Sequence, residues 1–156
     1  MTISAVDVKF LDDVKLQMTF QDGKVVQYDM SKMFNKYPQL SKLRDNRSLF
    51  ERGKLDPGGF GIIWNDDLDF DAMSIYEGGE VVGQIRPTFN QAIGVCITKA
   101  REEKGLTQTD LAKLSKIDQG DISKLEKGQG NPTIAKITKL LDALDCDIDI
   151  VLKPKN

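Results

Sequence analysis

Residues 105–128 read Gly105-Leu106-Thr107-Gln108-Thr109-Asp110-Leu111-Ala112-Lys113-Leu114-Ser115-Lys116-Ile117-Asp118-Gln119-Gly120-Asp121-Ile122-Ser123-Lys124-Leu125-Glu126-Lys127-Gly128. Thr107 is spaced to accept from the amide of Asp110, and the Asp110 carboxylate can reach back to the Thr107 amide, the reciprocal pattern that opens a helix. Leu111, Ala112 and Leu114 then supply the inner face of a short helix. Asp118 opens a second one, with Ile122 and Leu125 turned inward, and the chain leaves it before Gly128.

The same period extends in both directions. Upstream, Thr88-Phe89-Asn90-Gln91 matches a capping box, and Phe89, Ala92/Ile93, Cys96/Ile97 and Ala100 form one apolar stripe that ends at Lys104-Gly105. On that stripe Cys96 reads as a small buried hydrophobe. Downstream, a helix opened at Pro132 or Thr133 and running to about Leu144 presents Ile134, Ile137, Leu140, Leu141 and Leu144. Four short amphipathic helices with brief connections suffice for a small helical core. After Asp145 the period falls to two, Ile148, Ile150 and Leu152 alternating with Asp147, Asp149 and Val151, which predicts a strand over 146–153. Having no partner in a helical domain, this strand must pair with the other domain or with its own copy across a two-fold axis.

The first half of the chain has strand patterning. Val6, Val8 and Phe10 alternate, as do Leu16, Met18 and Phe20. Asp22-Gly23 then predicts a tight hairpin into Val25, Val26, Tyr28 and Met30. Ser31 can cap a short helix carrying Met33, Phe34 and Tyr37, and another helical segment covers Leu40 to Phe50. Asp56-Pro57-Gly58-Gly59 is a turn. Strand-like Gly61–Trp64 and Leu68–Phe70 flank the loop at Asn65-Asp66-Asp67, and Asp71 caps a helix over Ala72–Tyr76. The fold class is therefore α+β, a small antiparallel-sheet domain with short helices followed by an all-helical domain and a C-terminal strand. The expected boundaries are 1–80 for the first domain, 81–87 for a linker, 88–145 for the helical domain and 146–153 for the last strand.

Net charge is -2 over 156 residues, but it is unevenly spread. Residues 1–85 carry -4 and residues 86–156 carry +2, so the mild basic bias lies on the helical half. Histidine is absent, which removes the usual neutral-pH proton shuttle and the commonest transition-metal ligand. Cys96 and Cys146 are fifty positions apart, and neither has a nearby cysteine or histidine with which to make a metal knuckle or a redox pair. No glycine run fits a phosphate-binding loop, so an enzyme is disfavoured and neither cofactor nor metal is implied. The first residues lack a secretion leader and no apolar run reaches membrane-spanning length, from which a cytoplasmic protein without membrane contact is expected.

Two helices of about eight residues joined across Leu114–Ile117 have the dimensions of a helix-turn-helix, whose second member can enter the major groove of DNA. Residues 89–144 resemble the Cro/repressor-type helix-turn-helix family, also called the XRE family. Gly105–Ala112 matches its GLTQ-x-x-LA run, Asp118–Gly128 its recognition helix with the closing IS-x-x-E-x-G, and Asn131-Pro132-Thr133 the N-P-S/T that opens the next helix. Within the family, residues 147–153 are most similar to HipB-like antitoxins, which dimerise partly by pairing such strands. Residues 6–76 resemble the DUF2442 family, small α+β domains, through Val14-Lys15-Leu16, Phe20-x-Asp22-Gly23, Asp29-Met30, Asp56-Pro57-Gly58-Gly59, Ile63-Trp64 and Leu68-x-Phe70-x-x-x-x-Ile75-Tyr76.

The first resemblance implies a lambda-repressor-like domain that binds double-stranded DNA, in a transcriptional repressor or antitoxin-like autoregulator working as a homodimer. It makes Gln108 a phosphate contact and puts Gln119, Gly120, Ser123 and Lys124 on the outward positions of the recognition helix. Gln119 can pair with adenine, and Lys124 can donate to guanine or to phosphate. Lys127, Arg101, Lys113 and Lys116 are further phosphate candidates, and Glu126 is expected to support the turn. Two residues oppose strong binding: Gly120 offers no side chain, and Asp121 adds negative charge near phosphate. Dimerisation is assigned to Ile148, Ile150 and Leu152. The alternative is an adaptor whose main task is to bind a protein partner, such as a cognate toxin, through the first domain. Asp67, Asp69 and Asp71 would give that domain an acidic strand face suited to a basic partner.

Overall fold

In the computed structural model, which describes residues 2–154, the N-terminal alternation becomes three antiparallel strands, β1 (Ala5–Phe10), β2 (Lys15–Phe20) and β3 (Lys24–Asp29). Asp22-Gly23 makes the expected hairpin. Gly23 adopts φ +88°, and its amide donates to the Phe20 carbonyl at 2.9 Å. A side chain there is barred twice, because a Cβ would also lie 1.8 Å from the Ile85 carbonyl oxygen.

Ile85 comes so close because the spacer expected over 81–87 is largely strand. β7 (Glu80–Gln84) pairs antiparallel with β3 and completes a sheet of order β1-β2-β3-β7. Val81 and Val82 remain 57% and 45% exposed, so the unpaired backbone edge of β3, rather than apolar burial, holds this segment.

A second sheet, β4 (Lys54–Leu55), β5 (Gly61–Asn65) and β6 (Leu68–Asp71), carries the other side of the core, with the short helices α1 (Lys42–Asp45), α2 (Arg47–Glu51) and α3 (Ala72–Gly78). Leu16, Met18, Phe20, Val26, Tyr28 and Met30 meet Leu43, Phe50, Ile62, Trp64 and Ile75 in one buried cluster. The Trp64 indole donates to the Phe50 carbonyl at 2.9 Å, which satisfies its polar edge inside the core. Two local expectations are corrected. A bulge between Ala5 and Asp7 turns Ala5 inward and Val6 out, and Asp29 rather than Ser31 opens the next turn, accepting from the Ser31 amide.

The helical half has α4 (Phe89–Glu103), α5 (Gln108–Ser115), α6 (Gln119–Glu126) and α7 (Ile134–Leu144). Thr88 and Thr107 form complete capping boxes with Gln91 and Asp110, and Asp118 and Thr133 cap the other two. Ile93, Ile97, Leu111, Ile117, Ile122, Leu125, Ile137, Leu140 and Leu144 form the second core.

Its composition corrects the expected stripes. Phe89, Cys96, Leu114 and Ile134 face solvent, while Gly94, Thr98 and Ser115 are buried. The reason lies in α4, which has two partners: Ile93 and Ile97 serve the helical core, whereas Val95 packs on the core of the N-terminal domain. Residues 146–154 form no strand. A strand exists only as a pair, and within its own chain this segment has no ladder partner, leaving Ile148, Ile150 and Leu152 exposed, the last at 92%. No helix among the described residues is long and apolar enough to cross a membrane.

Candidate nucleic-acid interface

Packing fixes which side of α6 is free. Ile122 and Leu125 are buried against the helical core, so the opposite positions, Gln119, Gly120 and Lys124, are exposed, with Ser123 half-buried beside them. Lys116 closes α5 at φ +58°, the left-handed turn that redirects the chain toward Asp118. Asp118 accepts from the Gly120 amide at 2.8 Å, and a Cβ at Gly120 would approach that same carboxylate oxygen to 2.9 Å. The glycine thus lets the cap close tightly, and the bare backbone it leaves is on the outer surface.

One hydrogen-bonded chain ties this surface to the interior. The Arg101 guanidinium donates from Nε to Glu126 Oε1 at 2.6 Å, from Nη2 to Glu126 Oε2 at 2.9 Å, and from Nη1 to the Leu106 carbonyl at 2.7 Å. Gln108 Nε2 also donates to Glu126 Oε2, at 2.9 Å, and Gln108 Oε1 accepts from Gln119 Nε2 at 2.8 Å. The fixed acceptor at Glu126 therefore orients the amide of Gln108, which in turn orients that of Gln119.

This arrangement corrects the expectation for Arg101. Its side chain is only 11% exposed, and the hydrogen bonds and charge of Glu126 raise its pKa further, so it is an internal brace committed to protein acceptors. Lys113, Lys116 and Lys124 are exposed. Lys127 is half-buried, with its ammonium 3.5 Å from the Pro57 carbonyl of the N-terminal domain, turned toward protein rather than open solvent.

The negative charge of Asp121 is answered by a residue that the sequence reading missed. Lys136, in the first turn of α7, donates to Asp121 Oδ2 at 2.5 Å, and this bond holds the carboxyl below its usual pKa. Helical spacing within α6 could not have found it, because the partner lies on a different helix.

On the first domain, Asp69 and Asp71 do share the outer face of β6, but Asp71 is occupied in accepting from the Ser74 amide at 2.7 Å and Asp67 sits in the preceding turn. No group of acidic, cysteine or histidine side chains suited to a metal ion occurs among the described residues.

Known proteins are similar to separate stretches of the chain. Residues 97–151 match the family model described as helix-turn-helix, and residues 5–80 match DUF2442, a protein family of unknown function. An uncharacterized HTH-type transcriptional regulator of Sinorhizobium fredii, y4dJ, is 38% identical over 52 residues, spanning 33% of this chain and 68% of the relative. Among solved structures, the restriction-modification controller protein C.AhdI from Aeromonas hydrophila is 38% identical, covering 35% of this chain and 83% of its own, with a TM-score of 0.35. The Nitrosomonas europaea protein NE0471 is 18% identical over 90% of this chain and 86% of its own, with a TM-score of 0.44. Through the domain that holds α4 to α7, the chain belongs to the helix-turn-helix family of transcriptional regulators.

Proposed function

We propose that the protein is a sequence-specific regulator that represses transcription by laying the exposed side of α6 in the major groove of double-stranded DNA. The observation that carries this reading is the two-sidedness of α6, with Ile122 and Leu125 anchored while Gln119 and Lys124 stay open to solvent. Gln119 is the base reader, suited to the edge of adenine, and Lys124 donates to guanine or phosphate. Gln108, Lys113 and Lys116 steady the backbone, and the Gly120 backbone and Ser123 hydroxyl complete the contact. The relative's description as a transcriptional regulator supports this role.

The working form is a dimer that places two copies of α6 about 34 Å apart, one turn of the duplex. The exposed Ile148, Ile150 and Leu152 are the surface through which copies pair, each tail giving the other the strand partner that it lacks. In the antitoxin-like form of this reading the regulator acts on its own promoter while its first domain engages a toxin.

The test is a mobility shift on the DNA upstream of the gene, against a scrambled duplex at matched salt. Gln119→Ala and Lys124→Ala should each weaken selective binding about tenfold or more. A shift that is equal on both duplexes and indifferent to these substitutions would favour an adaptor instead.

A further inference from the structure

The last turn of a helix leaves its carbonyls without partners inside the helix, and those of α6 can be accounted for one by one. Ser123 accepts from the Lys127 amide, Lys124 from Gln129 and Leu125 from Gly128. The Glu126 carbonyl is taken from outside the helical domain. Gln21, in the β2–β3 hairpin, donates its side-chain Nε2 to it at 2.6 Å, and the same nitrogen lies 3.2 Å from the Gln91 carbonyl at the start of α4. Gln21 Oε1 accepts from Ser4 Oγ at 2.6 Å, so both ends of the amide are held, and the residue is 2% exposed.

The surroundings are shaped for this contact. Gly94 stands on α4 where a Cβ would come within 2.5 Å of the Leu125 carbonyl oxygen, 2.6 Å of Gln21 Nε2 and 2.7 Å of the Glu126 carbonyl oxygen. Only a residue without a side chain lets α4, the end of α6 and the hairpin meet there. The Thr2 amide donates to Glu102 at 2.9 Å and adds a second tie across the same junction.

Glu126 is therefore held at two points. Its main chain is bound by the N-terminal domain, and its side chain starts the path through Gln108 to Gln119. We propose that Gln21 is a positioning residue for DNA reading, through which the N-terminal domain sets the pose of the recognition helix. The inference rests on the DNA-reading function proposed above. It gives the first domain a task that requires no ligand: it forms the rear support of the reading head, and the hydrogen-bonded path Gln21, Glu126, Gln108, Gln119 crosses from a buried hairpin to the groove surface.

The experiment is an anisotropy titration of the full-length protein with the upstream duplex and with a scrambled duplex, over a salt series. Gln21→Ala should weaken binding to the upstream duplex about tenfold, the scale of one lost buried hydrogen bond to a well-placed carbonyl. Binding to the scrambled duplex and the salt slope should stay unchanged, because no phosphate contact is removed. The double variant Gln21→Ala/Gln119→Ala should lose less than the product of the two single losses, since both act on one path. Ser4→Ala, which keeps Gln21 but frees its amide, should move selectivity the same way by a smaller factor, and it carries the test should Gln21→Ala fail to fold.

A Gln21→Ala or Ser4→Ala protein that keeps wild-type selectivity, while Gln119→Ala loses it, overturns the positioning role and leaves DNA reading intact. A uniform loss on both duplexes also overturns it, as general destabilisation. A wild-type protein with no selectivity removes the DNA-reading function and this inference together.

Discussion

Arg101 and Glu126 form a two-point fork, 2.6 and 2.9 Å long, with side chains only 11% and 5% exposed. An ion pair this dry differs from a surface pair, because either charge left alone would be buried without compensation. It places a fixed anchor directly behind α6, and the Gln108 amide takes its orientation from that anchor.

The first prediction concerns this anchor. Arg101→Ala should cost about 3 kcal/mol in urea unfolding, the scale for orphaning one member of a buried pair. If Arg101 served as a phosphate contact instead, the substitution would leave stability unchanged and reduce only DNA affinity and its salt slope.

Gly94 gives a prediction of opposite sign to simple helix propensity. In an exposed helix interior, Gly→Ala stabilises by about 0.5–1 kcal/mol. Here the added Cβ meets two main-chain oxygens that cannot step aside, so Gly94→Ala should destabilise by about 1–3 kcal/mol. A raised melting temperature in this variant would show that the junction between α4, α6 and the hairpin is not packed as described.

Acid should loosen the reading unit in a defined range. Hydrogen bonds from the Thr107 side chain and backbone hold Asp110 below its ordinary pKa of 3.8, and the Lys136 ammonium does the same for Asp121. A carboxyl lowered by folding stabilises the protein above the unfolded value, and the contribution is lost as pH falls through the lower folded value. Melting temperature should therefore drop as pH goes below about 4. An Asp110→Asn/Asp121→Asn variant should start lower at neutral pH and show a shallower acid decline. An unchanged acid slope in that variant would show that these two carboxyls do not contribute.

Much of this architecture can be read directly from the chain, for local reasons. Thr88, Thr107, Asp118 and Thr133 cap their helices through atoms within three residues of themselves, and Asp22-Gly23 turns by its own dihedral preference. What was not legible depends on a second element. The face of α4 toward the N-terminal domain is built from Gly94, Val95 and Thr98, of which only Val95 carries an apolar signal. β7 is held by the backbone edge of β3 rather than by its own side chains. At the candidate site, the outward placement of Gln119 and Lys124 follows from period alone. The inward placement of Arg101 does not, since its partner Glu126 lies on another helix.

The tail supplies a further prediction. Ile150 and Leu152 are 68% and 92% exposed on a segment without a strand partner, a surface that a second copy would cover. Ultracentrifugation should show a dimer that Ile150→Asp/Leu152→Asp, or truncation after Leu144, converts to monomer. A wild-type monomer unaffected by truncation would contradict pairing through this segment.

Protection mapping on the upstream DNA reports site, symmetry and spacing of groove reading by α6 in one experiment. Two protected half-sites are expected about one helical turn apart, roughly 34 Å centre to centre, and they should disappear with Gln119→Ala/Lys124→Ala although the protein remains folded. Protection that persists unchanged in that variant, or no protected site at all with the wild-type protein, would contradict groove reading by the exposed side of α6.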